Sequence, residues 1–188
     1  MSNIYENVPK FESEKFLLRF VDKDDVEDLF AVYSDKNSLP FFNSDNCDGD
    51  NFYYPTKDKM EQAIDFWLKS YQTKWFVRWV IIDKISLKVI GTIELFNRTS
   101  EDKFNGMGVL RLDLKSEYEK EEVIKEILEL IVSPTFELFD CEEVITKVPN
   151  YAIERMFAAS GIGFTKSDNF LVGTHDGYSY KDYWIIHK

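Results

Sequence analysis

Apolar residues change their spacing along the segment Gly108–Val132, and this change predicts a strand followed by a helix. In Val109–Leu114 three leucines alternate with other residues, which is the period of a strand. From Val123 onward the apolar residues recur at helical spacing. That stripe consists of Val123, Ile124, Ile127, Leu128 and Ile131. Between the two patterns, Ser116 and Glu119 fit an S-x-x-E capping box, which predicts that the helix starts there.

The pattern ahead of this segment predicts a strand, a helix and a long loop. A strand is expected at Lys15–Val21 and a helix at Asp25–Tyr33, with Asp22 or Asp24 as its N-cap. The stretch Ser34–Pro55 has no periodicity and is dense in Asn, Asp, Gly and Pro, which is typical of a loop. Its aromatic residues are Phe41, Phe42, Phe52, Tyr53 and Tyr54. The loop is therefore either a binding loop or lid, or a segment whose aromatics pack onto the core.

A second helix and a hairpin are expected next. The helix begins at Thr56. The hairpin strands are Trp75–Asp83 and Lys88–Phe96, both rich in β-branched and aromatic residues. Gly91 inside the second strand indicates a bulge or a close approach by a neighbouring group.

After the central segment, the pattern predicts a further mixture of helix and strand. Pro134 is expected to end the central helix. The elements beyond it are a strand at Glu143–Val148, a short helix at Asn150–Ala159, weaker strands near Phe164 and Leu171, and a final strand at Tyr178–Ile186. Hairpin-linked strands come first and helix-linked strands follow. This order predicts the α+β class, with a mixed, mostly antiparallel central sheet that is flanked by helices and contains one parallel crossover.

Length and charge narrow the possible classes of function. With 188 residues, 44% of them hydrophobic, the chain suffices for one well-buried core, so a single domain over residues 1–188 is expected. The formal net charge of −11 argues against a nucleic-acid partner, which needs a basic surface. No apolar run approaches the roughly 18 residues that span a bilayer. Since the segment Met1–Lys10 also lacks the apolar core of a signal peptide, we expect a cytoplasmic protein without a membrane partner.

Cysteine and histidine residues predict neither a disulfide framework nor a metal site. Cys47 and Cys141 lie far apart in the sequence, and neither belongs to a metal-ligand spacing. His175 and His187 lie near the C-terminus without a cysteine motif. The sequence does not indicate the oligomeric state.

Several local sequences, taken in order, resemble those of a known family. They are FLLRFVDKDDVEDLFAVYSD, KVIGTIELF, the segment Gly108–Leu128, Asn150-Tyr151-Ala152 with Arg155 and Gly161, and the closing DGYSYKDYWII. Over nearly its whole length the chain resembles the GNAT family of acyl-CoA N-acyltransferases, and within it the branch of the ribosomal-protein N-terminal acetyltransferases. The resemblance implies a GNAT-like domain that moves an acetyl group from acetyl-CoA directly to an amine. The acceptor would be a protein N-terminus or a small amine.

The resemblance also implies how acetyl-CoA is bound. In the family, the backbone of a splayed strand holds the pantetheine arm, and Leu112, Asp113 and Leu114 occupy that position here. The family's signature asparagine, which binds the same arm, corresponds to Asn150. An asparagine before a helical pattern is also a normal N-cap, so Asn150 has two possible roles.

The turn that wraps the cofactor's diphosphate in the family departs from its pattern in this chain. The residues implied to bind there are Lys120, Val123 and Ile124. Family members have glycines in this turn, whereas this chain has three glutamates: Glu119, Glu121 and Glu122. Their charges oppose a diphosphate, and a capping box would satisfy the helix N–H groups that a phosphate uses.

Two positions that would take part in catalysis also differ from the family pattern. Phe157 stands where many family members have a tyrosine proposed to protonate the leaving thiolate, and Ile153 replaces a serine of the branch. Neither side chain donates a proton. The alternative reading is therefore a non-catalytic binding or interaction module that has lost its affinity for acetyl-CoA.

Polar residues on the predicted central strands offer a candidate general base. Arg78, Glu94, Arg111 and Asp113 alternate with apolar residues, so neighbouring strands would bring them together on one face. Acetyl transfer needs a base for the amine proton, and Glu94 is the candidate, acting directly or through water. Replacing Glu94 by Gln would then abolish transfer with the fold intact. The other interpretation is a structural ion-pair ladder on a solvated sheet face.

Overall fold

An eight-stranded sheet lies at the centre of the protein, in a computed structural model that describes residues 4–188. Its strands are β1 (Phe11–Glu12), β2 (Phe16–Phe20), β3 (Val77–Asp83), β4 (Lys88–Asn97), β5 (Gly108–Leu114), β6 (Glu143–Lys147), β7 (Thr165–Lys166) and β10 (Tyr183–His187). A separate hairpin contains β8 (Leu171–Val172) and β9 (Ser179–Tyr180). The order is β1-β2-β3-β4-β5-β6-β10-β7, and among the described strands only β5 and β6 run parallel. The predicted α+β class and single parallel crossover are confirmed.

Within the described part of the chain, four α-helices cover the two faces of this sheet. They are α1 (Val26–Tyr33), α2 (Lys57–Gln72), α3 (Glu121–Leu138) and α4 (Ile153–Gly161). Because successive strand residues point to opposite faces, Val80 packs with α1 and α2 whereas Trp79 packs with α3 and α4. None of the helices in residues 4–188 is long and apolar enough to cross a membrane.

Two helix starts follow the sequence pattern. Asp22 caps the 3-10 turn that leads into α1, in a capping box with Asp25. The Thr56 side chain accepts a hydrogen bond from the N–H of Lys59, as expected for the N-cap of α2.

The start of α3 differs from the prediction. A 3-10 turn at Ser116–Tyr118 comes first, and α3 begins at Glu121. The N–H and the hydroxyl of Ser116 both donate to Asp35, at 3.2 and 2.6 Å, and Glu119 pairs with an arginine of α4. The predicted capping box is therefore wrong, because both of its side chains bind partners far away in the sequence.

Proline does not end α3. The helix continues through Pro134 to Leu138. Val132 and Phe136 on either side are buried, and their burial offsets the roughly 3 kcal/mol that an interior proline costs. The expectation that Pro134 punctuates the helix is wrong.

Two elements near the C-terminus also have other limits. Ala152 is the N-cap of α4 and Asn150 lies in the exposed turn before it, so the N-cap role of Asn150 is wrong. The single strand predicted at the end is divided in two. Asp182, with a φ of 67°, separates β9 from β10, and β9 pairs with β8 instead of extending the large sheet.

Gly91 shows both features that its position predicted. The register between β3 and β4 shifts after Ile81, opposite Gly91. A Cβ atom on Gly91 would lie 2.1 Å from the carbonyl oxygen of Asp113. Only glycine therefore lets β4 approach β5 this closely.

The parallel strands β5 and β6 separate after a short paired stretch. Gly108–Leu110 pairs with Val144–Thr146, and beyond these residues β5 has no partner on β6. β5 keeps a continuous register with β4, and the Lys115 N–H just past its end donates to β4 at 2.9 Å. Because backbone direction alternates along a strand, the N–H and C=O groups of Leu112 and Leu114 point the other way, into the gap between β5 and β6.

Candidate active site

Four charged side chains meet on the sheet face that packs against α1 and α2. Register places Glu94 opposite Arg78 on β3 and opposite Arg111 on β5, with Asp113 two residues further along β5. The predicted mixed-charge cluster is thus present. The face is buried rather than solvated, since each of the four residues is less than a tenth exposed. The prediction of an ion-pair ladder on a solvated sheet face is therefore wrong about the solvent exposure of that face.

Glu94 is fully engaged by the two arginines. One carboxylate oxygen accepts from Arg111 Nη1 at 2.8 Å, and the other accepts from Arg78 Nη2. Burial alone would raise the pKa of Glu94, but the two guanidinium groups outweigh burial and lower it. Glu94 is thus an anion without a free oxygen for an incoming amine.

Asp113 has the opposite environment. Its Oδ2 accepts from the Tyr33 hydroxyl at 2.8 Å and lies 3.6 Å from Arg78 Nη1. Its Oδ1 is buried and has no hydrogen-bond partner among the described residues. Burial raises the pKa of Asp113, and the attraction of Arg78 and the Tyr33 hydrogen bond compensate only in part. Within the cluster, Asp113 is therefore the carboxylate with an oxygen, Oδ1, that is free to accept a proton.

The long loop at residues 34–55 covers this cluster. Asp45 of the loop accepts from Lys147 Nζ at 2.5 and 2.6 Å and from the Tyr183 hydroxyl at 3.1 Å. The Asp45 backbone carbonyl accepts from Arg111 Nη2 at 2.8 Å. The pairing between β5 and β6 ends at Leu110 and Thr146, and Arg111 and Lys147 are the next residue on each strand. Asp45 thus bridges β5 and β6 where they separate.

A second set of contacts holds the loop near α4. The Tyr151 hydroxyl donates to the Pro40 carbonyl, and the rings of Tyr151 and Phe41 lie 6.1 Å apart. The guanidinium of Arg155 lies 5.8 Å from the centre of the Phe41 ring. The loop therefore touches both sides of the gap, and its aromatics Phe42, Phe52 and Tyr54 pack into the core.

The turn before α3 is bound by α4 through two adjacent residues. Arg155 forms a buried ion pair with Glu119, with Nε 2.9 Å from Oε2. Glu154 accepts a hydrogen bond from the Glu121 N–H, at 2.7 Å. The first N–H of α3 is thus occupied by a carboxylate of the protein itself, and the charge of Glu119 is compensated by Arg155.

The other residues expected to bind acetyl-CoA lie in different environments. Lys120 is the N-cap position of α3 and makes no side-chain cap. The Val123 side chain is half-buried and that of Ile124 is buried in the core, while Asn150 is exposed. Ile153 and Phe157 are more than half exposed, on α4. Of the predicted binding groups, the backbones of Leu112 and Leu114 are the ones directed into the gap.

An acetyl-CoA molecule fits part of this arrangement. The unpaired backbone of Leu112 and Leu114 suits an extended amide-bearing arm, which adds to a strand edge. The N-terminus of α3 suits a diphosphate less well, because Glu154 occupies its first N–H and Glu122 adds a further negative charge nearby. Within residues 4–188, no group of three or more His, Cys, Asp or Glu side chains is arranged to hold a metal ion.

Solved structures with the same architecture identify the fold. A ribosomal-protein-S5-alanine acetyltransferase from Vibrio fischeri superposes with a TM-score of 0.69 at 16% identity, covering 96% of both chains. The chain has the GNAT acetyltransferase fold. A GNAT-family acetyltransferase from Bacillus anthracis matches at a TM-score of 0.67 and 11% identity, covering 95% of this chain and 98% of that one. A ribosomal L7/L12 alpha-N-protein acetyltransferase in complex with coenzyme A matches at 0.67 and 12%, with the same coverage.

No protein-family model and no curated protein matches the sequence. The likeness to GNAT enzymes is therefore one of fold. The alternation of residues along the strands predicted the four-residue cluster, whereas no pattern in the sequence predicted the contacts of Tyr33, Asp45 and Glu154. Tyr33 and Asp45 belong to α1 and the following loop, and their partners Asp113 and Lys147 lie 80 and 102 residues away. The density of aromatic and acidic residues in the loop was the available signal.

Proposed function

We propose that the protein is an N-acetyltransferase that moves an acetyl group from acetyl-CoA to an amine acceptor. The observation that carries the proposal is the separation of β5 from β6 within a GNAT fold. It leaves the backbone groups of Leu112 and Leu114 unpaired beside a buried acid–base cluster. Such an edge holds an acyl donor in an extended conformation, and pre-positioned reactants are the main requirement of this transfer.

The acceptor is an amine, either a protein N-terminus or a small molecule. Two of the similar structures are named as acetyltransferases of ribosomal proteins, which favours a protein N-terminus. The loop at residues 34–55 covers the charged cluster and also touches α4, so the acceptor would enter past this loop. We place the reaction in the cytoplasm, as the sequence predicts.

A specific observation supports the second candidate, a non-catalytic GNAT-fold binding module. The carboxylate of Glu154 takes the first N–H of α3, and the exposed Phe157 cannot protonate a leaving thiolate. Both features are compatible with a protein that has lost its affinity for acetyl-CoA. The geometry favours the enzyme, because the gap lies beside buried carboxylates.

Binding and transfer separate the two candidates. Acetyl-CoA at 100 times its dissociation constant should stabilise the protein by about 2.7 kcal/mol, which a thermal-shift titration detects. Release of free thiol in the presence of a panel of amines and N-terminal peptides then reports turnover. Stabilisation with turnover supports the enzyme. The absence of a shift at millimolar acetyl-CoA would favour the binding module.

A further inference from the structure

Asp113 combines complete burial with an unsatisfied oxygen. The residue is 0% exposed, and Oδ1 has no partner in the described part of the chain. A buried carboxylate oxygen without a partner is costly, and natural proteins retain such groups chiefly at functional sites. The packing of the sheet occupies only Oδ2, which Tyr33 and Arg78 approach, and leaves Oδ1 for another partner.

The position of Asp113 relative to the gap is specific. Its neighbours along β5, Leu112 and Leu114, direct their backbone groups into the gap. The Asp113 side chain projects from the same strand toward α1, where Tyr33 binds it. A group held at the strand edge by these neighbours therefore has the Asp113 carboxylate on the α1–α2 side, about one residue spacing, roughly 3.3 Å, along the strand.

We propose that Asp113, rather than Glu94, is the general base for the acceptor amine, with Tyr33 as its positioning residue. This role rests on the proposed acetyl transfer. Glu94 has both oxygens committed to guanidinium groups. Asp113 offers a free Oδ1, and the Tyr33 hydroxyl fixes its other oxygen.

Acetyl transfer to the amine forms an N–C bond and breaks the C–S bond of the thioester. The nitrogen lone pair of the neutral amine forms the N–C bond to the acetyl carbonyl carbon, and the N–H proton passes to Asp113 Oδ1. The C–S bond breaks, and sulfur leaves with the electron pair as a thiolate. The thiolate takes a proton from solvent, and Asp113 returns its proton to solvent. No oxidant or reductant takes part.

One hydroxyl and three charged groups, from four elements, surround Asp113. Tyr33 approaches from α1, Arg78 from β3 and Glu94 from β4, and Arg155 acts from α4. Arg78 and Arg155 stabilise the carboxylate form, whereas burial and Glu94 favour the protonated form. Phe42 packs on Tyr33 at 5.0 Å and Phe41 lies over Arg155, so the loop closes the site from the acceptor side.

The test replaces Asp113 by Asn, which keeps the shape and removes the base. Asp113→Asn should lower kcat by about 100-fold or more, the usual contribution of a general base, with the affinity for acetyl-CoA unchanged within twofold. It should also unfold at the same or a higher temperature than the wild type at pH 7. The folded-state pKa of Asp113 is raised, so the wild type loses stability as pH rises above the unfolded value of about 3.9, and the variant does not.

The matched control is Asp102→Asn, a second poorly exposed aspartate remote from the gap. Hydrogen bonds from Arg98 and two backbone N–H groups lower the pKa of Asp102 despite its burial, so this variant should unfold at a lower temperature and keep full kcat. The Tyr33→Phe variant should lower kcat by about tenfold with KM unchanged, as expected of a positioning residue.

Three results decide the matter. Turnover that survives Asp113→Asn within a few-fold would overturn the role of Asp113 and leave the acetyltransferase proposal standing. Loss of turnover together with a clear loss of thermal stability would assign Asp113 a structural role. Absence of turnover in the wild type with every amine tested would overturn the proposed function, and the role of Asp113 with it.

Discussion

At the scale of single residues, Glu94 holds two buried guanidinium groups in place. Arg78 lies 4.1 Å from the Trp67 ring centre and Arg111 lies 5.4 Å from that of Phe96, so both cations have apolar surroundings. The negative charge of Glu94 compensates the positive charges of both arginines. Removing one partner of a buried ion pair leaves an uncompensated charge, which is more costly than the pair itself is worth.

Glu94→Gln should therefore lower the free energy of unfolding by about 3–5 kcal/mol. The pKa of Glu94 is lowered, so its contribution is present above its unfolded pKa and is lost as pH falls through the folded value. Urea denaturation at pH 7 and at a series of pH values descending below 4.5 measures both effects, with the exposed Glu129→Gln as the control for charge. A stable Glu94→Gln variant without turnover would instead return Glu94 to the role of general base.

The sequence predicted which residues of the cluster meet because alternation and hairpin register are local. Arg78 and Glu94 are paired by a hairpin, and Glu94 and Arg111 by the next one. The environment was not predictable in the same way. Whether that face is solvated or buried depends on α1, α2 and the 34–55 loop, whose docking joins residues such as Tyr33 and Asp113 across 80 positions.

At the scale of secondary-structure elements, the start of α3 is set by tertiary contacts. Its residues fit a capping box, but Asp35 takes Ser116 and Arg155 takes Glu119. In place of a local cap, the Glu154 carboxylate of α4 accepts the hydrogen bond of the first N–H of α3. The limits of α1 and the start of α2 were predictable from the sequence, whereas the start of α3 was not, because its partners come from distant elements.

The helix start carries a prediction about coenzyme A. Glu154→Gln should bind coenzyme A about tenfold more tightly or better, because a carboxylate on the Glu121 N–H repels a diphosphate there. Titration calorimetry with coenzyme A and with pantetheine, which has no diphosphate, measures the effect; the gain should be confined to coenzyme A. Glu129→Gln removes the same charge from an exposed site further along α3. Equal affinities of the two variants would show that Glu154 does not oppose the diphosphate.

At the scale of the whole molecule, the 34–55 loop joins parts of the fold that the sheet leaves apart. β5 and β6 separate beyond Leu110, and Asp45 reconnects them through Arg111 and Lys147. The sequence predicted a long aromatic loop and left open whether it is a lid or a packed segment. The structure shows it packed against the core. Its polar contacts across the gap are also the ones that an entering acceptor would have to displace.

Asp45 is accordingly the residue whose loss should free the loop without disturbing its aromatic anchors. In Asp45→Asn the Lys147 ammonium loses its carboxylate, while Phe42, Phe52 and Tyr54 remain buried. Hydrogen exchange of amides 41–46 should become at least tenfold faster, whereas amides of β3 and β4 keep their protection. Asp48→Asn, an exposed change in the same loop, should leave exchange unaltered. If Asp45→Asn exchanges like Asp48→Asn, the aromatic packing alone holds the loop. Its opening for an acceptor would then require those rings to leave the core, a much larger rearrangement than the release of one ion pair.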